Sequence, residues 1–291
     1  MLEFSLLAGI LFGLFFGLVG LGLNLVFGVT RIVNLAHGNF MMLGAFGAFW
    51  AWQHLGWNPL VAVPVQGVAF VLAGVALYYV LVPRLVGLKD FDMISLVLFF
   101  GLSQVIEALG VIAFGNDPHS ISQPVFGRHP LHFLGQTFPA AWAVSAMVSL
   151  FLIILVYLYL YRTRAGYATR AVMASRQEAA ASGVNVDLIS ALAFGIGLFL
   201  ASVAGMLSLF MLGSVSANFG GGIIITAFAV VVLGGLGDPV GTVLGGLIYG
   251  IGLMVMESYL SSWANVLPYV LLVATLLLRP SGILGKEVRH V

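Results

Sequence analysis

The chain contains no cysteine. That excludes disulfides, thiolate zinc sites, iron–sulfur clusters and cysteine nucleophiles, and it leaves the redox compartment undecided. Charge is nearly as scarce. Only 7% of residues are Asp, Glu, Lys or Arg, where a soluble domain carries roughly 25%. With 61% hydrophobic residues, the composition is that of an all-α integral membrane protein. A net charge of +1 supplies no basic patch for nucleic acid. Nucleotide-binding signatures are missing as well. A phosphate loop needs G-x-x-x-x-G-K-[ST], yet the Gly285-Lys286 pair continues with Glu287 and has no upstream glycine at the right spacing. No catalytic triad, zinc motif or dinucleotide fingerprint is present, so neither an enzyme nor a metal or cofactor is expected. The opening MLEFSLLAGILFG lacks the basic region of a secretory signal and reads as the start of a first span.

What the chain does have is long apolar runs, each near the ~20 residues that cross a bilayer. They read as about nine spans: Ser5–Phe27, His37–Trp52, Pro59–Val82, Met93–Phe114, Phe138–Tyr161, Leu188–Leu212, Phe219–Gly237, Val240–Leu260 and Trp263–Leu278. The second, seventh and ninth are short, which leaves eight to ten open. Basic residues favour the cytoplasmic side. Placing Arg162–Leu188 inside also brings Arg31, Arg84, Lys89, Arg279, Lys286 and Arg289 inside, with the N-terminus out and the C-terminus in. Spans one to four and six to nine then run in opposite directions, the pattern of an inverted repeat. Asn34-Leu-Ala-His-Gly38 and Asn218-Phe-Gly-Gly-Gly222 follow the first span of each half. The 37 glycines suit helices that approach closely in lipid.

The most polar stretch is the loop Arg162–Leu188. Within it Ser175 stands three residues before Glu178, the spacing of a capping box in which each side chain satisfies a backbone N–H of the first turn. Ala179, Ala180 and Ala181 favour helix, and Gly183 ends it. A short polar helix between two apolar halves suits a docking element; an ordinary solvated connector fits the same residues equally well.

Polar residues inside apolar segments are the other candidates. Asn34, His37 and Asn39 interrupt the chain between the first two spans. Irregular backbone at membrane depth survives only buried in protein or lining a wet cavity, so this break points to a passage; for Asn39, helix capping in a cytoplasmic turn is at least as good a reading. Asn218 and Thr226 flank three glycines that would unwind a helix or permit close packing, a second candidate break; a plain extracellular turn is the alternative reading. Asp238-Pro239 after Gly237 signals a turn. Gln104 and Glu107 fall within span four, where an acid is a functional candidate by default; with no basic partner, a hydrogen-bonded structural Glu at a helix interface is the favoured reading, and Glu257 reads the same way. His119, His129 and His132 share the outer loop without a metal-site spacing.

Three stretches together carry a resemblance. Gly28-Val-Thr-Arg-Ile-Val-Asn-Leu-Ala-His-Gly-Asn-Phe-Met-Met-Leu-Gly-Ala45, Arg176-Gln-Glu-Ala-Ala-Ala-Ser-Gly-Val-Asn-Val186 and Ala227 to Gly246 resemble, in order, the permease subunits of branched-chain amino acid ABC importers. The likeness spans essentially the whole chain. It implies a single permease domain (1–291) in a bacterial or archaeal plasma membrane, the inner membrane of a Gram-negative cell, with a periplasmic N-terminus. It also implies a second, similar permease as a heterodimer partner, two cytoplasmic ATPase subunits, a periplasmic binding protein and surrounding lipid. Residues 162–188 then form the coupling loop, with Ser175, Arg176, Gln177, Glu178, Ala179, Ala180 and Gly183 against an ATPase. Aliphatic amino acids are the expected substrates, although the same family carries urea, short amides and aromatic acids. A self-sufficient channel or proton-coupled transporter using Glu107 or His37 is the rival from another class, and a non-transporting scaffold is weaker.

Overall fold

The computed structural model describes residues 1–121, 125–127 and 130–285; His129, Lys286, Glu287 and Arg289 lie outside them. The chain forms helices α1 (Leu2–Thr30), α2 (His37–Leu55), α3 (Pro59–Leu85), α4 (Phe91–Phe114), α5 (Ala140–Arg162), α6 (Arg164–Ala174), α7 (Arg176–Ala181), α8 (Val186–Met211), α9 (Phe219–Gly234), α10 (Pro239–Tyr259) and α11 (Leu267–Leu278). A 3-10 turn, Ser261–Val266, leads into α11. The expected fifth span starts two residues late, because Phe138 belongs to a small hairpin, Leu131–Phe133 against Gln136–Phe138.

Among the described residues, seven stretches are long and apolar enough to cross a membrane: α1, α3, α4, α5, α8, α10 and Ser261–Leu278. The second and seventh expected spans are not among them. α9 has only 16 residues, and α2 carries His37, Asn39, Gln53 and His54 at its two ends.

Close packing rests on glycine, because without a Cβ two backbones can touch and gain dispersion contacts. Gly9, Gly13 and Gly17, one turn apart on α1, lie along α10. A Cβ at Gly9 would fall 2.6 Å from the Cα of Ile251, and one at Gly13 would fall 2.8 Å from that of Leu247. The partner residue number falls as the α1 number rises, so the two helices are antiparallel. The other half repeats the arrangement with roles exchanged. α3 runs antiparallel to α8, with a Cβ at Gly74 reaching 2.7 Å from the Cα of Gly195. α8 also crosses α1 and α2, and it is buried along most of its length. Its buried polar residues, Ser190, Ser202 and Ser208, lie within that packing. Outward faces of α3, α4 and α11 are apolar and exposed, as at Val61, Leu72, Ile112 and Leu277, which suits a lipid environment.

Candidate functional site

The polar loop 162–188 holds two helices. The first, α6, was not foreseen. Thr163 caps it, its Oγ1 accepting from the Gly166 N–H at 2.9 Å. Gly166, Thr169, Val172 and Met173 form its buried face, a 3.6-residue pattern masked by four intervening polar or small residues. The second helix, α7, matches the expected one. Ser175 Oγ accepts from the Glu178 N–H at 3.2 Å. The reciprocal half of the capping box is not formed, because the Ser175 N–H already donates to Ala171 O as the last bond of α6. At the other end Gly183 takes φ +82. Its N–H donates to Ala180 O, and that of Val184 donates to Ala179 O, the paired bonds of a Schellman stop.

Of the expected docking residues, Gln177, Glu178, Ala180 and Gly183 are exposed, Ser175 and Arg176 are half-buried and Ala179 is buried. Arg176 turns back into the bundle. Its Nη1 donates to Val29 O at 2.7 Å and lies 3.5 Å from Ser190 Oγ, and its Nη2 is 3.9 Å from Asp187 Oδ1. Tyr78 of α3 donates to the same carboxylate at 2.9 Å. A cation on the last carbonyls of α1 is favoured by the helix dipole. Arg31, just past the end of α1, makes the reverse contact, its Nη2 donating to Met173 O at 2.7 Å. The two arginines clasp α6 and α7 to the C-terminus of α1.

From that clasp the chain doubles back. Arg31 adopts φ 59, residues 31–36 are non-helical, and Ile32, Asn34 and Ala36 are buried. α2 starts with His37 Nε2 3.3 Å from Val19 O. Val19 lies eleven residues before Thr30, so α2 begins roughly 16 Å up α1 at 1.5 Å per residue. The irregular backbone therefore lies deep in the bundle, as the sequence suggests.

The second break is its counterpart. Residues 212–218 leave α8 without helical structure, Val215 bridges to His119, and α9 starts at Phe219. The two short helices meet N-terminus to N-terminus. A Cβ at Gly38 would overlap the carbonyl of Gly220, and one at Gly220 would fall 2.8 Å from the amide carbon of Asn39. Neither helix has a side-chain cap. Among the described residues, Asn34 Nδ2, His37 Nδ1 and Asn39 Nδ2 are buried without a hydrogen-bond partner. Asn34 Oδ1, by contrast, accepts from the Ala36 N–H at 3.1 Å. Beside the first turn of α9 a recess of about 360 Å³ opens, lined in part by Ser214, Asn218, Gly222, Ile223 and Thr226. The structure thus sets Asn39 against Gly220 at the start of α9 and puts Asn218 and Thr226 on the recess beside it, while Asn34 and His37 lie buried at the entry to α2 and do not line that recess.

Asn24 is the polar residue that sequence reading passed over. It is fully buried in α1. Its Nδ2 donates to Asp238 O at 2.8 Å and to Thr242 Oγ1 at 2.5 Å, and its Oδ1 accepts from the Gly237 N–H at 2.6 Å. Asp238 in turn caps α10 through the Gly241 N–H at 2.9 Å. A lone Asn in GLNLVFG was the available signal.

Gln104 and Glu107 stand apart from this region. Gln104 is exposed, with one long contact to Ser103 Oγ at 3.4 Å. Glu107 is half-buried, and the expected interface hydrogen bond is absent among the described residues because the buried face of α4 is formed by Ser103, Ile106 and Gly110 instead. Glu257 is exposed. His119 Nε2 lies 3.0 Å from Phe114 O, and no cluster among the described residues has the makings of a metal site.

A family model described as "Branched-chain amino acid transport system / permease component" matches residues 5–276. A probable branched-chain amino acid transport permease protein LivH from Methanocaldococcus jannaschii is 31% identical over 282 residues, covering 93% of this chain and 88% of that one. The high-affinity branched-chain amino acid transport system permease protein LivH of Escherichia coli K12 is 28% identical, covering 97% and 96%. The corresponding protein BraD of Pseudomonas aeruginosa is 29% identical, covering 99% and 97%. No solved structure matches significantly. The match runs through both breaks and the polar loop 162–188, and the chain belongs to the branched-chain amino acid transport permease family.

Proposed function

We propose that this chain is a single permease domain forming half of the translocation pathway of an ATP-driven importer for branched-chain or other hydrophobic amino acids. A second, homologous permease supplies the other half. Two cytoplasmic ATPase subunits drive it, and a periplasmic binding protein delivers substrate. The observation that carries this reading is the clasp between α7 and the end of α1. A short helix with an exposed face of Gln177, Glu178 and Ala180 is tied by Arg176 and Arg31 to the helix that leads into the buried break. Closure of an ATPase pair pushing on α7 reaches residues 31–36 and α2 through that tie, and a packed helix bundle responds by switching between arrangements.

The topology of the proposal is nine crossings in two inverted halves around α5. α2 and α9 each complete a crossing begun by the non-helical segment before them. The reciprocal pairings of α1 with α10 and α3 with α8 support this. So does the charge: with the α7 end cytoplasmic, Arg31, Arg84, Lys89 and Arg279 fall on the same side, as basic residues do.

The test is purification from native membranes in mild detergent, followed by mass spectrometry and transport in proteoliposomes. Recovery of a second permease and ATPase subunits, with loss of both on Glu178→Lys, supports the proposal. Recovery of this chain alone, still moving leucine without ATP, overturns it.

A further inference from the structure

We propose that the meeting point of α2 and α9 recognises the carboxylate of the transported solute, with the first turn of α9 as its main donor. This deepens the importer reading and rests on it.

Most of the unpartnered groups at the junction are donors; the exception is His37 Nδ1, an acceptor when Nε2 donates to Val19 O. The N–H groups of Gly38, Asn39 and Gly220, all buried, and of Gly221, which is exposed, find no acceptor among the described residues. The Nδ2 groups of Asn34 and Asn39 are buried and equally unpartnered, and Asn39 packs directly against Gly220. Buried orphan N–H groups are rare in folded proteins. Here they gather at two uncapped helix N-termini, each carrying about half a positive charge. A site made of donors in a positive field suits an anion. Broken transporter helices aim their N-termini at substrate carboxylates for this reason. Urea or a neutral amide brings its own N–H donors, which would face donors and stay unpaired at a cost.

Three further features fit an amino acid rather than a bare anion. The recess beside α9 has about 360 Å³, at the small end of ligand pockets. Phe219 and Ile223 give it an apolar wall, and Ser214, Ser216 and Thr226 give it hydroxyls for an ammonium group. Glycine at 221 and 222 is not demanded by packing, because a Cβ at either position meets nothing within 4 Å. Glycine costs helix stability relative to alanine, and here it leaves the first turn of α9 uncovered, with Gly222 on the wall of the recess and Gly221 exposed beside it.

The experiment uses the importer assembled with its partner subunits in nanodiscs, without the binding protein. It compares binding of L-leucine with that of L-leucinamide, which keeps the side chain and amine and lacks the carboxylate. Leucine is expected to bind about tenfold more tightly, the scale of one charge-assisted hydrogen bond. Gly222→Ala, and independently Gly221→Ala, should weaken leucine by a similar factor and leave leucinamide unmoved. Equal binding of the two probes, or variants that bind leucine like the parent, overturns the proposal. An assembly that moves no leucine on ATP yet separates the two probes sinks the importer reading and leaves this site standing. One that moves leucine without separating them sinks the site alone.

Discussion

Replacing Asn24 by Leu should unpin α1 from the turn between α9 and α10. The substitution keeps approximate size and removes every polar contact of a fully buried side chain. Its two donations, at 2.8 and 2.5 Å, go to acceptors with other partners, since Asp238 O also receives the Thr242 N–H and hydroxyl. These losses are modest, because interhelical hydrogen bonds in lipid average about 0.6 kcal/mol. The Gly237 N–H is different. It donates to Asn24 Oδ1 at 2.6 Å and is left orphaned, at about 1–3 kcal/mol. The total is about 2–4 kcal/mol, or roughly 3–7 °C in melting temperature for a chain of this size. Thermal unfolding of the purified protein in detergent measures it. A double-mutant cycle with Thr242→Val should return a coupling of about 0.5–1 kcal/mol. If the Leu variant melts with the parent and the cycle shows no coupling, the network does not hold the turn.

Three other outcomes follow from the same geometry. Gly250→Ala should cost about 1–3 kcal/mol by forcing α10 off α1, where its Cβ would fall 2.6 Å from Gly9 O; Gly101→Ala on α4, with nothing within 4 Å, should be neutral or stabilising in the same melt. Ser175→Ala should remove about 1 kcal/mol of cap energy from α7, read as roughly fivefold faster amide exchange confined to Arg176–Ala181. Glu107→Gln loses no hydrogen bond among the described residues, so ATP-driven leucine uptake should stay within about twofold of the parent; a collapse of uptake would move Glu107 to the centre of a proton-coupled mechanism.

Several features were legible in the sequence because they are local. Ser175, the alanine run and Gly183 announce α7, since caps and stops are set by neighbours a few residues apart. Polar residues at 34, 37 and 39 and glycines at 220–222 mark the breaks. α6 was missed because Arg164, Tyr167 and Arg170 obscure its buried stripe, and Asn24 because one polar residue does not interrupt a span. Arg176 was legible as a member of the loop and not as an anchor, since its direction depends on a carbonyl of Val29, distant in sequence.

By itself the sequence determined a polytopic helical membrane protein, the position of its apolar stretches, the short helix of its polar loop and two points where helices break. Those properties come from composition and near-neighbour chemistry. Only the tertiary structure decided that the breaks meet at Gly38 and Gly220, that α1 lies on α10 and α3 on α8, and that Asn24 and Arg176 are ties. Helices apolar all round carry no stripe to say which face is buried. Partner choice then rests on which small residues let two backbones touch, and that is a property of surfaces assembled in space.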